Sequence, residues 1–134
     1  MGFKDISQIA GSAMAAQTVR LNTIASNLAN ANAVAGSETE AYRARKPVFA
    51  DHGGEEGVAR VQVLDVVQSA EPLRKMHEPD NPLADADGNV FYANVNEVAE
   101  MADMMAASRA FETNVEVMGR IKSMQQSLLK LGES

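Results

Sequence analysis

The chain contains no cysteine and no tryptophan, and its aromatic residues are only two tyrosines and four phenylalanines. The lack of cysteine excludes disulfide bridges and thiol-based catalysis. The shortage of large aromatic side chains, together with eight methionines and many alanines, disfavours a dense globular core. It favours a slender body in which thin helices pack through small side chains.

Clustered basic residues and long apolar runs are also missing. Twelve Lys and Arg residues are scattered among 18 Asp and Glu residues, and the net charge is -6, so we expect no nucleic-acid binding. The sequence has no run of about 18 apolar residues, so it predicts no membrane span. Residues 1–15 lack the continuous apolar stretch of a secretory signal peptide. A length of 134 residues suits one ordinary domain or one elongated assembly module.

The last third of the chain, Asn94–Leu131, predicts a long helix with Asn94 or Asn96 as its N-cap. Its apolar and small residues recur in steps of mostly three and four, at Val98, Met101, Met105, Ser108, Phe111, Val115, Met118, Ile121, Met124, Leu128 and Leu131. This stripe covers 33 residues in ten steps, so it drifts around the helix and indicates more than one neighbour. Its methionines suit either an adaptable binding surface or ordinary core filling.

A second helix is predicted from Asp5, with a heptad pattern at Ala10, Met14, Gln17, Leu21, Ile24, Leu28 and Ala31. Its simplest partner is the C-terminal helix. Gln17 either sets the register of the pair or lies at the edge of the stripe. Asn27 and Asn30 share a face near the helix end, where they serve as capping residues of a fraying end or bind neighbouring backbone or another chain.

The middle segment, residues 36–93, contains all four prolines and shorter apolar runs. Val58–Val67 predicts a strand, with shorter strands at Tyr42–Phe49 and Val90–Tyr92 and a hairpin loop at 51–57. We therefore predict a mainly α fold: two long terminal helices pair as an antiparallel, coiled-coil-like bundle, with a small β-hairpin and loop-rich middle. The predicted divisions are 1–35, 36–93 and 94–134, the first and last forming one terminal-helix domain.

No motif in the sequence predicts catalysis, a cofactor or a metal. Asp85, Asp87 and Gly88 superficially resemble a calcium loop, but the glycine is out of register, and a turn before Val90 is the better interpretation. His52 and His77 lack the spacing to a second ligand that a metal site needs. An enzyme that uses either histidine is therefore the weakest of the functional hypotheses.

Two segments resemble the bacterial flagellar axial proteins of the rod, hook and filament junction. Leu21, Ala25, Asn27, Leu28, Ala29, Asn30 and Gly36 match their N-terminal signature, although the aromatic residue that usually follows the glycine is delayed to Tyr42. Gly88–Asn96, Glu100-Met101 and Ala107–Met118 resemble their C-terminal block. The two segments occur in the family's order, at the corresponding ends of the chain.

The resemblance implies a structural, non-enzymatic subunit of the proximal rod of the flagellar basal body, in the periplasmic space. It implies partners among copies of the chain, other rod and basal-body subunits and the flagellar type III export apparatus, with no cleaved signal peptide and no small-molecule substrate. The alternative is a free coiled-coil adaptor or export chaperone. The expected assembly-interface residues are Leu21, Ile24, Asn27, Leu28, Asn30, Met101, Met105, Arg109, Phe111, Val115 and Met118.

Overall fold

A computed structural model describes residues 2–53 and 58–133 of the chain. Its elements, in order, are α1 Phe3–Ala29, β1 Val34–Ala35, β2 Arg45–Gly53, β3 Ala59–Gln68, β4 Arg74–His77, β5 Asn89–Tyr92 and α2 Glu97–Glu133. At 1.5 Å per residue, α1 is about 40 Å long and α2 about 55 Å long. Helix α2 is therefore longer than α1 by about three turns.

Polar side chains define the first turn of each helix. Helix α1 begins two residues before the predicted start, and the Asp5 carboxylate accepts a hydrogen bond of 2.9 Å from the Gly2 amide. At the start of α2, the Asn96 side chain accepts a bond of 3.2 Å from the Ala99 amide, so Asn96 is the N-cap. Asn94 instead bridges two loops, because it accepts from the Ala44 amide and donates to the Glu71 carbonyl.

Helices α1 and α2 pack side by side in opposite directions. Asn27 near the end of α1 contacts Glu100 in the first turn of α2, whereas Arg20, two turns earlier, contacts Asp103. Phe3 at the start of α1 and Leu128 near the end of α2 line the same open groove. Neither helix is both long and apolar enough to cross a membrane, judged over the residues that the structure describes.

Strands β2 and β3 form a long antiparallel hairpin that lies along α1. They pair from Arg45 opposite Gln68 to Gly53 opposite Ala59, and a β-bulge leaves Leu64 without a direct partner. Towards the tip, the Val61 amide donates to the Ser12 hydroxyl, and Arg60 donates to the Gln8 side chain. Of the predicted loop at 51–57, the first three residues belong to β2, and residues 54–57 lie outside the described residues.

The other three strands form a small antiparallel sheet in the order β1-β5-β4. The central strand contains Val90 and Phe91, both buried, and leads through Ala93 to α2. Strand β1 follows α1 and β5 precedes α2, so this sheet lies at the end of the helix pair where α1 stops and α2 starts. The predicted turn before β5 is present, with Gly88 at φ 79°.

The prediction of a mainly α bundle with a small middle segment is wrong. Half of the described residues are helical, but 23% of them lie in five strands, which form a central sheet region flanked by the two helices. The physical reason is the second buried side of α1. Gln8 and Ser12 accept hydrogen bonds from the hairpin, whereas Asn27 donates to Glu100 and Arg20 forms an ion pair with Asp103 of α2. A two-helix seam therefore describes only part of the packing.

Gly36 provides a test of the close approach between β1 and the loop before β5. A Cβ atom at this position would lie 2.6 Å from the Leu83 carbonyl oxygen, which belongs to the backbone. Gly36→Ala should therefore lower the free energy of unfolding by about 1–3 kcal/mol, as overpacking does. Urea unfolding followed by circular dichroism measures the change.

The matched control is Gly119→Ala in α2, because a Cβ atom there meets nothing within 4 Å. Alanine is the better helix former, so this variant should gain roughly 0.5–1 kcal/mol. Equal stability of the two alanine variants would contradict the close approach at Gly36.

Tyr92 in β5 provides a test at alkaline pH. Its hydroxyl donates a hydrogen bond of 2.8 Å to the Glu78 carboxylate, and this bond raises the tyrosine pKa above 10.0. Burial and the negative charge of Glu78 also raise the pKa, whereas the positive charge of Arg74 lowers it. Because the folded pKa is above the unfolded one, this contribution to stability is complete below about pH 10 and is lost as pH rises through the folded pKa. The free energy of unfolding of Tyr92→Phe should therefore fall less than that of the unmodified chain as pH rises from about 9 to about 12. Urea unfolding across this pH range measures the difference. Identical pH profiles for Tyr92→Phe and the unmodified chain would refute the assignment.

Candidate assembly interface

Asn27 joins four parts of the structure through one buried side chain, which is 1% exposed. Its amide nitrogen donates to the Arg45 carbonyl at 2.9 Å and to the Glu100 carboxylate at 3.1 Å. Its oxygen accepts from the Tyr42 hydroxyl at 2.8 Å and from the Arg45 amide at 2.9 Å. Both donors and both acceptor positions of the amide are therefore used.

The partners of Asn27 come from segments far apart in the sequence. Tyr42 lies in the loop after β1, Arg45 begins the hairpin, and Glu100 lies in the first turn of α2. Ser26 also contacts the Tyr42 hydroxyl at 3.0 Å, and the Arg45 guanidinium lies 5.6 Å from the centre of the Tyr42 ring. These contacts hold the base of the hairpin and the start of α2 against the end of α1.

Glu100 is a charged residue in a nearly dry position, with 8% of its surface exposed. Its carboxylate lies in the first turn of α2, where the helix dipole favours negative charge, and it accepts the Asn27 bond. Arg20 and Asp103 form an adjacent ion pair at 3.5 Å. Their side chains are 28% and 56% exposed, so this pair contributes only about 0–1 kcal/mol to stability.

The face of α2 that packs on α1 is a stripe that we call the seam. Its residues, in alternating steps of three and four, are Glu100, Asp103, Ala107, Ala110, Asn114, Val117 and Ile121. All are buried or half-buried except Asp103, which bonds to Arg20. On α1, the half-buried Gln17 has a buried Oε1 atom with no hydrogen-bond partner in the described residues, so it lies within the packed surface.

A second stripe with the same spacing runs beside the seam, and we call it the methionine stripe. Its residues are Met101, Met104, Ser108, Phe111, Val115 and Met118. Ser108 and Phe111 are half-buried, and the other four side chains are 36% to 49% exposed. A heptad stripe of this kind is typical of a helix that packs against a further helix.

The structure divides the eleven expected interface residues into two groups. The α1 residues lie within the chain's own packing: Ile24 and Asn27 are buried, and Leu21, Leu28 and Asn30 are half-buried. The α2 residues lie outside the seam: Met101, Met105, Arg109, Val115 and Met118 are exposed, and Phe111 is half-buried. Their role in assembly stays a prediction.

Three residues of the site were not selected from the sequence. Glu100 and Tyr42 were named as part of the resemblance to the flagellar family. Asn94 was a candidate N-cap, yet it bonds to the Ala44 amide at 2.6 Å. The sequence offered one signal for these contacts. An asparagine in an apolar heptad needs hydrogen-bond partners when it is buried, and Glu100 lies at a seam position of the other helix.

The two histidines lie apart, at the ends of strands β2 and β4, and both are exposed. His77 contacts Asn89 at 3.4 Å. Among residues 2–53 and 58–133, no group of three or more His, Asp or Glu side chains is arranged to hold a metal ion. The geometry of the Asn27 cluster is that of a structural clamp.

Comparison with known proteins places these features in a family. Residues 8–36, which contain Asn27, match the family described as flagella basal body rod protein, and residues 86–131 match the one described as flagellar basal body rod FlgEFG protein C-terminal. The flagellar basal-body rod protein FlgC of Salmonella typhimurium is 46% identical over 99% of this chain and 100% of its own length. The chain belongs to the FlgC family. Its FlgC relative in Escherichia coli O6:H1 is 47% identical over the same shares of the two chains, and that of Agrobacterium fabrum is 33% identical over 93% and 91%.

The predicted resemblance to flagellar axial proteins is therefore confirmed. As a member of the FlgC family, the chain is a structural subunit of the rod of the flagellar basal body, and that rod is its location. The matched regions include α1 from Gln8 onwards and α2 up to Leu131, so the family's two signatures coincide with the two helices that Asn27 joins.

Asn27→Ala tests the clamp. The change removes the partner of the buried Glu100 carboxylate and of the Arg45 backbone, and it leaves the Tyr42 hydroxyl only its contact with Ser26. The free energy of unfolding should therefore fall by about 2–4 kcal/mol. Thermal and urea unfolding of the purified chain measure the loss.

Asn22→Ala is the control in the same helix, because Asn22 is exposed. Alanine has the higher helix propensity, so this variant should gain a few tenths of a kcal/mol. A loss at Asn27 no larger than the change at Asn22 would show that the clamp does not hold the fold together.

Proposed function

We propose that the chain polymerises through its terminal helices as a subunit of the proximal rod, where it helps to transmit torque from the motor towards the hook. Its function is then mechanical and non-enzymatic. The observation that carries the proposal is the methionine stripe. A helix of a rod protein that leaves large apolar side chains exposed along about 26 Å has a surface that assembly would bury.

The proposed partners are copies of the chain and other rod and basal-body subunits. The family names of the relatives support this, since all those cited above are basal-body rod proteins. We propose delivery by the flagellar type III export apparatus into the periplasmic part of the basal body. The relatives cited above support this, because they are basal-body rod proteins.

We further propose that residues 1–35 and 94–134 act as the axial core of the subunit, with 36–93 as the segment that braces it. Support comes from the contacts of Asn27 and of Asn32, whose amide donates to Glu97 at 3.1 Å and so adds a second bond between the two terminal regions. The hairpin, held by the Asn27–Arg45 bonds, stiffens α1 from the other side.

Charge placed on the methionine stripe tests the assembly role. The double variant Met101→Glu, Met118→Glu changes two exposed side chains, so its helix content and unfolding midpoint should stay close to those of the unmodified chain. In a bacterium whose own gene for the chain is deleted, this variant should fail to restore motility and should be absent from purified basal bodies.

The control is the double variant Met101→Leu, Met118→Leu, which keeps the stripe apolar and should restore motility. Basal bodies that contain the glutamate variant at the normal level would refute the role of this stripe. A purified chain that forms a compact dimer of fixed stoichiometry and never enters basal bodies would favour the adaptor hypothesis instead.

A further inference from the structure

Strand β3 contains a segment of the kind that pairs with copies of itself. Residues Val61–Val67 include four valines and one leucine, and their only charged residue is Asp65. Leu64, Val66 and Val67 are exposed. Segments with such high β-propensity and so little charge join strand to strand between chains when their edges are open. In the part of the chain that the structure describes, the hairpin is a two-stranded sheet, so each strand has an outer edge with no pairing strand.

The register of the hairpin shows which backbone groups point outward from these edges. In an antiparallel pair, residues that bond across the ladder alternate with residues whose N–H and C=O point away from it. Asn27 of α1 bonds both the amide and the carbonyl of Arg45, so Arg45 is an outward position. Two residues further along β2, Pro47 is therefore also an outward position, and so is its partner Val66 on β3.

Neither Pro47 nor Val66 offers a free amide to a further strand. Pro47 has no N–H, and proline within a sheet is confined to edge positions for this reason. The Val66 amide donates a hydrogen bond of 2.8 Å to the carboxylate of Asp65 in its own strand. That carboxylate also places a negative charge at the edge of β3, and a strand that paired there would have to bury the charge.

The β3 edge is interrupted at two further points. The β-bulge opposite Val48 and Phe49 leaves Leu64 without a direct partner, and a bulge of this kind bends and twists the strand. Near the tip, the Val61 amide donates to the Ser12 hydroxyl of α1 at 3.2 Å. A second strand that approached β3 would thus meet a charge, a bulge and a helix in turn.

The position of Asp65 fits the course of α1 beneath the hairpin. Helix α1 reaches the β2 edge at the base of the hairpin through Asn27 and the β3 edge near the tip through Ser12. Asp65 lies nearer the base of β3, and its side chain is exposed. The carboxylate therefore lies on a part of the β3 edge that these two contacts do not reach.

We propose that Pro47 and Asp65 protect the two edges of the hairpin, so that copies of the chain do not join strand to strand. Such protection gives a reason for two features that neither the Asn27 clamp nor the seam requires, a proline inside a strand and a single charge inside an apolar segment. The protected edges belong to the hairpin alone, so this role is separate from the proposed contact of α2 in the rod.

The double variant Pro47→Thr, Asp65→Thr opens both edges. It restores an outward N–H on β2, frees the Val66 amide and removes the charge, and threonine suits a strand. Directly after purification, its circular dichroism and unfolding midpoint should stay close to those of the unmodified chain, because Asp65 is exposed and Pro47 half-buried. During incubation at high concentration, soluble monomer should be lost to aggregates that sediment and bind thioflavin T.

The matched control is the double variant Asp80→Thr, Pro82→Thr. It replaces the same two residue types and changes the net charge equally, but both positions are exposed in the loop between β4 and β5. This variant should keep its soluble monomer over the same incubation.

A charge returned to the opened edge should reverse the effect. Leu64 is exposed and unpaired at the bulge, so Leu64→Lys added to the Pro47→Thr, Asp65→Thr variant should restore soluble monomer. The net charge of the unmodified chain is -6, and the lysine moves the variant closer to zero. The rescue would therefore not result from stronger repulsion between whole chains.

Three results would overturn the proposal. One is a Pro47→Thr, Asp65→Thr variant that keeps its soluble monomer as long as the control does. Another is a control that aggregates at the same rate. The third is aggregation that Leu64→Lys leaves unchanged, which would assign the loss to weakened folding.

The single variants Asp65→Thr and Asp80→Thr decide the question if the double variant is unfolded when purified, because both positions are exposed. Faster loss of soluble monomer from Asp65→Thr is the expected result. Equal loss from the two single variants would contradict the protective role of Asp65.

Discussion

The packing of this chain depends on the buried amide of Asn27. An amide in a dry site must have both donors and both acceptor positions satisfied, and here the partners come from the loop after β1, the first residue of the hairpin and the first turn of α2. Each bond by itself adds only about 1 kcal/mol. Together they define one relative position of helices and hairpin, because any other would leave a buried polar group unpaired.

This clamp determines which surfaces remain for assembly. Helix α1 is held between α2 and the hairpin, so beyond Ala10 its exposed residues are only Ala15, Thr18, Asn22, Ala25 and Ala29. Helix α2 packs on α1 along the seam, and four of the six side chains of the methionine stripe beside it stay exposed. A subunit with so little interior for its own apolar side chains is suited to a lattice in which neighbours supply the missing burial.

Periodicity located the helices but could not assign their faces. The predicted stripe on the C-terminal helix follows the methionine stripe at Met101, Phe111, Val115 and Met118 and then moves onto the seam at Ile121. The two stripes are neighbours with the same alternation, so spacing alone cannot separate the residues that bind α1 from those that face outward. The apparent drift of one stripe is better explained by two parallel ones. Of the heptad positions predicted for the first helix, Ala10 and Ile24 are buried on α1, and Ala31 is buried just after the helix ends.

The sequence by itself determined the two terminal helices, the strand now seen as β3, the turn at Gly88 and, through its two signatures, the flagellar family. These are local features, because they depend on hydrophobic period, turn chemistry and residues close together in the chain. Only the tertiary structure decided that the hairpin packs along α1, that β1 and β4 join β5 in a sheet, and that Asn27 meets Tyr42, Arg45 and Glu100. Asn27 and Glu100 are 73 positions apart. Their contact exists because the whole chain folds around it, and no local pattern encodes such a contact.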